Sequence, residues 1–251
     1  MDKIRISAVR YANTYPFIYG LTESGFDRTA ILETDHPSVC AEKVISGKAD
    51  LGLVPVGAIP EIEQPVIISD YCIGADGKVR TVQMMSNSQL EDVSRIYLDY
   101  RSRTSVRLIK VIAGNFWKKD FEWIATDENF DFAMAERNEA VVLIGDQCFT
   151  HENRYLYRWD LAEEWKINTG LPFVFACWVA NKELPDSFVS EFNKALARGV
   201  NNLDMVVERF RNCGPINGDE LREYLSFNID FVLDNQKKRA MDLFLDFVKK
   251  I

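Results

Sequence analysis

Histidine is almost missing from this chain. His36 and His151 are the only two in 251 residues, far apart and with no metal-ligand spacing around either, so no histidine-based metal centre is expected. There is no G-x-S-x-G nucleophile turn, no G-x-x-x-x-G-K-[ST] loop and no G-x-G-x-x-G. The sequence signals of serine hydrolases, nucleoside-triphosphate enzymes and nicotinamide enzymes are therefore lacking. No apolar run is long enough for a membrane span, and there is neither a basic tail nor a low-complexity tract. The segment Met1-Asp2-Lys3-Ile4-Arg5 lacks the apolar centre of a signal peptide, and a cytoplasmic location is the expectation. Cysteines are few, odd in number and never in C-x-x-C: Cys40, Cys72, Cys148, Cys177 and Cys213 read as reduced core thiols.

Positive charge is in the minority, with 30 Lys and Arg against 38 Asp and Glu and a net charge of −8. That balance speaks against a nucleic-acid or anionic-membrane surface. An anionic ligand would need a locally positive pocket. The length allows one large domain or two lobes of roughly a hundred residues each.

What is present is most informative from Pro37 to Val56. Pro37 suits a first helical turn. Cys40, Ala41, Val44 and Ile45 share one helical face, and Gly47 stands where a left-handed residue would end the helix. Leu51-Gly52-Leu53-Val54 then reads as a strand covered on both faces of a parallel sheet. Further upstream, Arg5-Ile6-Ser7-Ala8-Val9 alternates as a first strand and runs through Asn13-Thr14 into a helix with Pro16 at its start. A helix entrance of this kind gathers backbone N–H groups and side-chain donors at one point, which suits a carboxylate.

The helix, G-x-x-D and apolar strand of the first stretch resemble the two-lobed periplasmic-binding-protein architecture. Both stretches together resemble the menaquinone-biosynthesis enzymes of the futalosine route, and among them the chorismate dehydratases, whose first motif reads roughly S-Y-L-N-T-x-P-L. Arg10, Ala12 and Phe17 depart from that pattern, while Asn13, Thr14 and Pro16 keep it. The sister dihydroxynaphthoate synthases usually carry Pro-Asn-Asp here. Two later segments continue the resemblance: Ile144-Gly145-Asp146, and Thr169-Gly170-Leu171-Pro172-Phe173-Val174-Phe175-Ala176.

The fold expectation is α/β, a two-lobed periplasmic-binding-protein type II-like fold with a ligand cleft between the lobes. Strands are expected at 4–9, 30–34, 51–56, 66–72, 79–86, 95–99, 140–145 and 173–180. Asp76-Gly77 reads as a hairpin turn. Helices are expected at 104–113 and 131–137, from Asp160 in capping-box form, and at about 231–248. Lobe one would comprise residues 1–88 and lobe two 89–177, with 178–251 returning to lobe one. The strands at 79–86 and 173–180 would be the crossovers.

Asn13 falls where the family keeps a ligand-lining amide; Thr14 is either a ligand donor or a plain N-cap. Ser86 and Asn87 end the 79–86 strand, where the family has a serine in the cleft, although Ser86-Asn87-Ser88 also reads as an ordinary turn. Thr104 and Ser105 open a helix expected to face Asn13 across the cleft, and Arg101, Arg103 and Arg107 add positive potential or are simply solvated. Asp146, after Gly145, either touches ligand or caps a helix and holds the hinge. Thr169 and Gly170 are expected to offer donors, while Trp165 and Phe173 pack in the core. His36 reads as a loop or cap residue.

The resemblance implies removal of water from chorismate to give 3-[(1-carboxyvinyl)oxy]benzoate. Asn13 and Ser86 would be catalytic, Thr14, Asn87, Thr104, Ser105, Gly145, Asp146, Thr169 and Gly170 would bind substrate, and no cofactor or metal would be needed. The expected partner is the small molecule chorismate, with neither nucleic acid nor membrane insertion. The alternatives are the sister 1,4-dihydroxy-6-naphthoate synthase and a non-catalytic small-anion-binding protein.

Overall fold

The computed structural model describes residues 3–251. The chain opens with β1 (Arg5–Val9), a 3₁₀ turn at Ala12–Thr14, α1 (Tyr15–Glu23), α2 (Phe26–Thr29) and β2 (Ile31–Asp35). Next come α3 (Pro37–Ile45), β3 (Leu51–Pro55), a 3₁₀ segment at Val56–Glu61 and β4 (Val66–Ala75). The middle of the chain holds β5 (Val82–Ser86), β6 (Arg95–Leu98), α4 (Thr104–Val111) and β7 (Glu122–Ala125). It continues with β8 (Glu139–Ile144), α5 (Gln147–His151), β9 (Tyr157–Asp160) and α6 (Leu161–Thr169). The last part contains β10 (Phe173–Ala180), α7 (Asp186–Val200), α8 (Leu203–Phe210), α9 (Gly218–Glu223), β11 (Asp230–Val232) and α10 (Asn235–Val248).

Among the described residues, eleven strands form two sheets, ordered β11-β4-β10-β3-β1-β2 and β7-β6-β8-β5-β9. In the first, β1 runs parallel to β2 and β3, while β10 is antiparallel to β3 and β4. In the second, β6 is parallel to β7 and β8, while β5 is antiparallel to β8 and β9. The chain crosses between sheets at 76–81 and again at 170–172. Among the described residues, no helix is long and apolar enough to cross a membrane.

Local chemistry explains the elements that were expected. Pro37 starts α3, and Gly47 adopts φ +71 just past its end. Every residue of β3 is buried, as a strand covered on both faces must be. Asp50 of the G-x-x-D turn is buried and bonded by Arg5 Nε at 3.1 Å and Lys182 Nζ at 2.7 Å. Asp160 caps α6 by accepting the Ala162 and Glu163 N–H groups. Trp165 and Phe173 are buried with ring centroids 5.3 Å apart.

Several expectations fail. Asp76-Gly77 turns the chain without making a hairpin, because β4 and β5 join different sheets. The 79–86 strand therefore belongs to the second sheet, and the division falls within 76–81 rather than after residue 88. The crossing is made by the segment before β5, not by the strand itself. Residues 131–137 form turns instead of a helix, with Asp131 Oδ1 accepting the Ala133 N–H at 2.8 Å. Phe231 lies on β11, so the last helix begins only at Asn235, where Asp234 Oδ1 accepts the Lys237 N–H at 2.8 Å. The edge strands β7 and β9 are short and partly exposed, and their apolar pattern is too weak to announce them. Four cysteines are buried, but Cys213 is exposed, so it is no core thiol.

Candidate active site

The strand directions decide what faces the gap between the sheets. The ends of β1, β3 and β8, the start of β5 and the first half of β10 all reach it, and the start of α4 closes one side. The polar lining is formed by Tyr11, Asn13, Thr81, Ser102, Thr104 and Ser105. Val9, Ile73, Val82, Ile144 and Phe175 supply apolar walls. No carboxylate, imidazole, lysine or arginine is among the described residues that line it.

At the entrance to α1, Asn13 lines the cleft and Thr14 does not. Thr14 is fully buried, and its Oγ1 donates to Asn13 Oδ1 at 3.2 Å. Thr14 therefore orients the amide instead of offering its own hydroxyl, a correction to its expected place in the binding set. Tyr11 leans on Gly145, where φ is +64 and a Cβ would lie 2.7 Å from the Tyr11 ring. Only glycine allows that approach. The Tyr11 hydroxyl meets His36 Nδ1 at 3.2 Å, and His36 Nε2 contacts Arg10. Burial, then Arg10 and Arg101, lowers the His36 pKa, so its ring is neutral at neutral pH. Burial pushes the Tyr11 phenol up, which keeps it protonated.

Across the gap, Ser102 Oγ accepts the Ser105 N–H at 3.0 Å and so satisfies a donor in the first turn of α4. The Ser102 proton and the Ser105 hydroxyl then stand beside each other at the positive end of a helix. Thr104 lines the same wall, yet its Oγ1 donates to Phe175 O at 3.2 Å and accepts the Gly57 N–H at 3.1 Å. Its hydroxyl is a bolt between lobes and has no proton left for a ligand. Ser102, which the sequence analysis did not single out, takes its place.

Asp146 does not line the cleft. Its Oδ1 accepts the Ala12 N–H at 3.0 Å, linking the start of α5 to the turn before α1. Burial raises its pKa, opposed by that one hydrogen bond. The hinge-holding role fits, and the contact role does not.

Ser86 and Asn87 were expected in the cleft and are not there. Because β5 is antiparallel to β8, Val82 pairs with Ile144 at the cleft and Ser86 pairs with Ala140 at the far end. Four residues of strand separate them, roughly 13 Å. Ser86 Oγ donates to Glu139 O at 2.6 Å and accepts the Ser88 N–H at 3.0 Å, while Asn87 Oδ1 accepts the Leu156 N–H. The residue of β5's neighbourhood that does reach the cleft is Thr81, immediately before the strand. Its signal was legible only to a reader who knew the strand direction.

Thr169 and Gly170 also lie away from the cleft lining. Thr169 Oγ1 donates to Trp165 O at 2.8 Å and accepts the Leu171 N–H at 3.2 Å, and Gly170 is the left-handed cap of α6 at φ +72. They end a helix. The arginines are committed elsewhere as well. Arg101 forms a two-point pair with fully buried Asp99 at 2.7 and 2.8 Å, and Arg103 and Arg107 both bind Glu61. Any anion in the cleft must rely on helix ends and neutral donors.

Two α/β lobes joined by two crossings, with a donor-lined cleft where their strands end, define a protein of periplasmic-binding-protein architecture. Solved structures share it. A protein from Archaeoglobus fulgidus aligns with TM-score 0.79 at 14% identity, covering 99% of this chain and 97% of that one. A Candida albicans gene product, described as having the generic periplasmic binding protein fold, aligns with TM-score 0.66 at 10% identity over 100% and 94% of the two chains. Within that architecture the chain belongs to the menaquinone biosynthesis family, which matches residues 4–250. It is also similar to a chorismate dehydratase of Thermus thermophilus, 23% identical over 94% of this chain and 92% of the relative.

Proposed function

We propose that this protein is a chorismate dehydratase that removes the C3 proton and the C4 hydroxide of chorismate to give 3-[(1-carboxyvinyl)oxy]benzoate and water. One observation carries the reading beyond family membership: the described cleft lining holds neutral donors and no side-chain carboxylate or imidazole. Aromatisation of the ring drives this elimination, so a site that orients the substrate without a tuned base suits it. The enolpyruvyl carboxylate of chorismate lies close to C3–H and accepts the proton. One substrate carboxylate lies against Ser102 and Ser105 at the start of α4. Asn13 and Thr81 donate to the departing hydroxyl, where negative charge develops. No cofactor takes part.

Incubating the purified protein with chorismate and identifying the product by mass spectrometry and NMR tests the reading. A product lighter by one water, with a meta-substituted benzoate ring, supports it. Binding without conversion would make the protein a small-anion receptor. Failure to bind chorismate would point to another substrate of the same pathway family, such as that of the naphthoate-forming enzyme.

A further inference from the structure

Tyr224 lies far along the chain from every cleft motif, in the π-helical turn Tyr224–Asn228 that follows α9. Its side chain is fully buried and stands edge-on to Phe149 of α5, with ring centroids 5.2 Å apart. The Tyr224 hydroxyl meets Thr81 Oγ1 at 2.7 Å, and the Asn13 side chain approaches the same oxygen. Both of those partners line the cleft, whereas Tyr224 does not. One phenol thus ties the amide of the first lobe to the threonine at the crossing into the second.

Donor counting fixes the directions. Thr14 Oγ1 donates to Asn13 Oδ1, and the Asn13 side chain acts on the phenol as a donor, which turns Nδ2 towards Tyr224 Oη. The phenol proton then goes to Thr81 Oγ1. The Thr81 proton is left with Val79 O at 3.4 Å, a long contact, or with a cleft ligand. The second Nδ2 proton of Asn13 is free for the same ligand. We propose that Tyr224 is a positioning residue that aims the Asn13 amide and the Thr81 hydroxyl as paired donors at the leaving hydroxyl of the substrate. This rests on the dehydratase reading for its substrate, but the orientation of the two donors is a property of the protein itself. Burial holds the phenol in its protonated form.

Tyr224→Phe keeps the ring against Phe149 and removes only the hydroxyl. The kcat on chorismate should fall about tenfold or more, with KM changing less than about threefold and Tm within about 5 °C of wild type. Thr81→Val should act similarly, Thr81→Ser should restore most of the rate, and the double variant should be little worse than either single one. A Tyr224→Phe protein with wild-type kcat overturns the proposal. A reading independent of substrate is the Asn13 side-chain amide in ¹⁵N NMR spectra of the ligand-free protein, assigned by its loss in Asn13→Ala. Its signals should shift or broaden in Tyr224→Phe, and unchanged signals overturn the proposal. A wild-type protein inert to chorismate whose Asn13 signals nonetheless move in Tyr224→Phe would sink the dehydratase reading while sustaining the positioning role.

Discussion

The Asp160 carboxylate accepts backbone N–H groups from Arg80 at 2.7 Å, Ala162 at 3.1 Å and Glu163 at 3.2 Å, yet burial pushes its pKa up to about 6 from 3.8. A folded-state value above the unfolded one means the folded chain holds this proton more tightly. The associated stabilisation is complete below pH 3.8 and is lost as pH rises through about 6. A shift of this size corresponds to about 3 kcal/mol at most. In Asp160→Asn the slope of Tm against pH should flatten across that window, whatever the offset at neutral pH; an unchanged slope would assign the titration to another group. Ser86 makes the opposite kind of prediction. Its two hydrogen bonds hold the far end of β5, so Ser86→Ala should lower stability by about 1–2 kcal/mol and leave the rate on chorismate intact. Thermal unfolding and steady-state kinetics together check this, and a dead but fully stable variant would return Ser86 to the chemistry.

Among the elements, α1 and α7 cross at two glycines. A Cβ on Gly20 would lie 2.0 Å from Ala195 O, and one on Gly199 would lie 1.7 Å from Pro16 O. Contacts that short force the helix backbones apart, and α1 carries Phe17 into the core against Trp178 and Phe231. Gly199→Ala should therefore cost about 2–3 kcal/mol by overpacking, read as a lower denaturant midpoint with an unchanged m-value. A neutral result would mean the helices can separate freely. The same crossing displaces the entrance to α1, so turnover should fall with stability. At the other end of the sheet, buried Lys237 pairs with Asp230 and Asp234 and packs its Cε against Gly74. That pair ties the start of α10 to β11.

Across the whole molecule, one apolar core runs through both lobes, and a set of polar contacts bridges them beside the cleft. Glu61 of the 3₁₀ segment after β3 binds Arg103 at 2.6 Å and Arg107 at 2.9 Å, both from the α4 side of the cleft. The Ser38 N–H donates to Arg101 O at 3.1 Å, the Gly57 N–H donates to Thr104 Oγ1, and the Ala12 N–H donates to Asp146. Exposed pairs such as those of Glu61 contribute no more than about 1 kcal/mol each. Glu61→Gln should thus leave Tm almost unchanged. It should shift the lobes towards an open form, seen as a larger radius of gyration in solution scattering and a severalfold higher KM for chorismate. An identical scattering profile and KM would show that the Glu61 pairs play no part in holding the lobes together.

The local elements around the cleft are legible along the chain, because their causes are local. Pro37 and Gly47 bound α3, Asp160 caps α6, and the alternation of 5–9 and the apolar run at 51–54 make strands whatever their neighbours. Asn13 and Gly145, expected from the resemblance, and Ser105, expected from a helix entrance, all line the gap between the sheets. The tertiary structure decided what those causes do not carry. The direction of β5 exchanged Ser86 for Thr81, since an apolar run reads the same in a parallel or an antiparallel pair. Which partner fills each hydroxyl also depends on residues distant in sequence. Gly57 and Phe175 consume Thr104, Asp99 and Glu61 consume the arginines, and Tyr224 reaches Thr81 only after the last third of the chain has folded back. Hydrogen-bond satisfaction is a property of the packed interior, so no local pattern along the chain contains it.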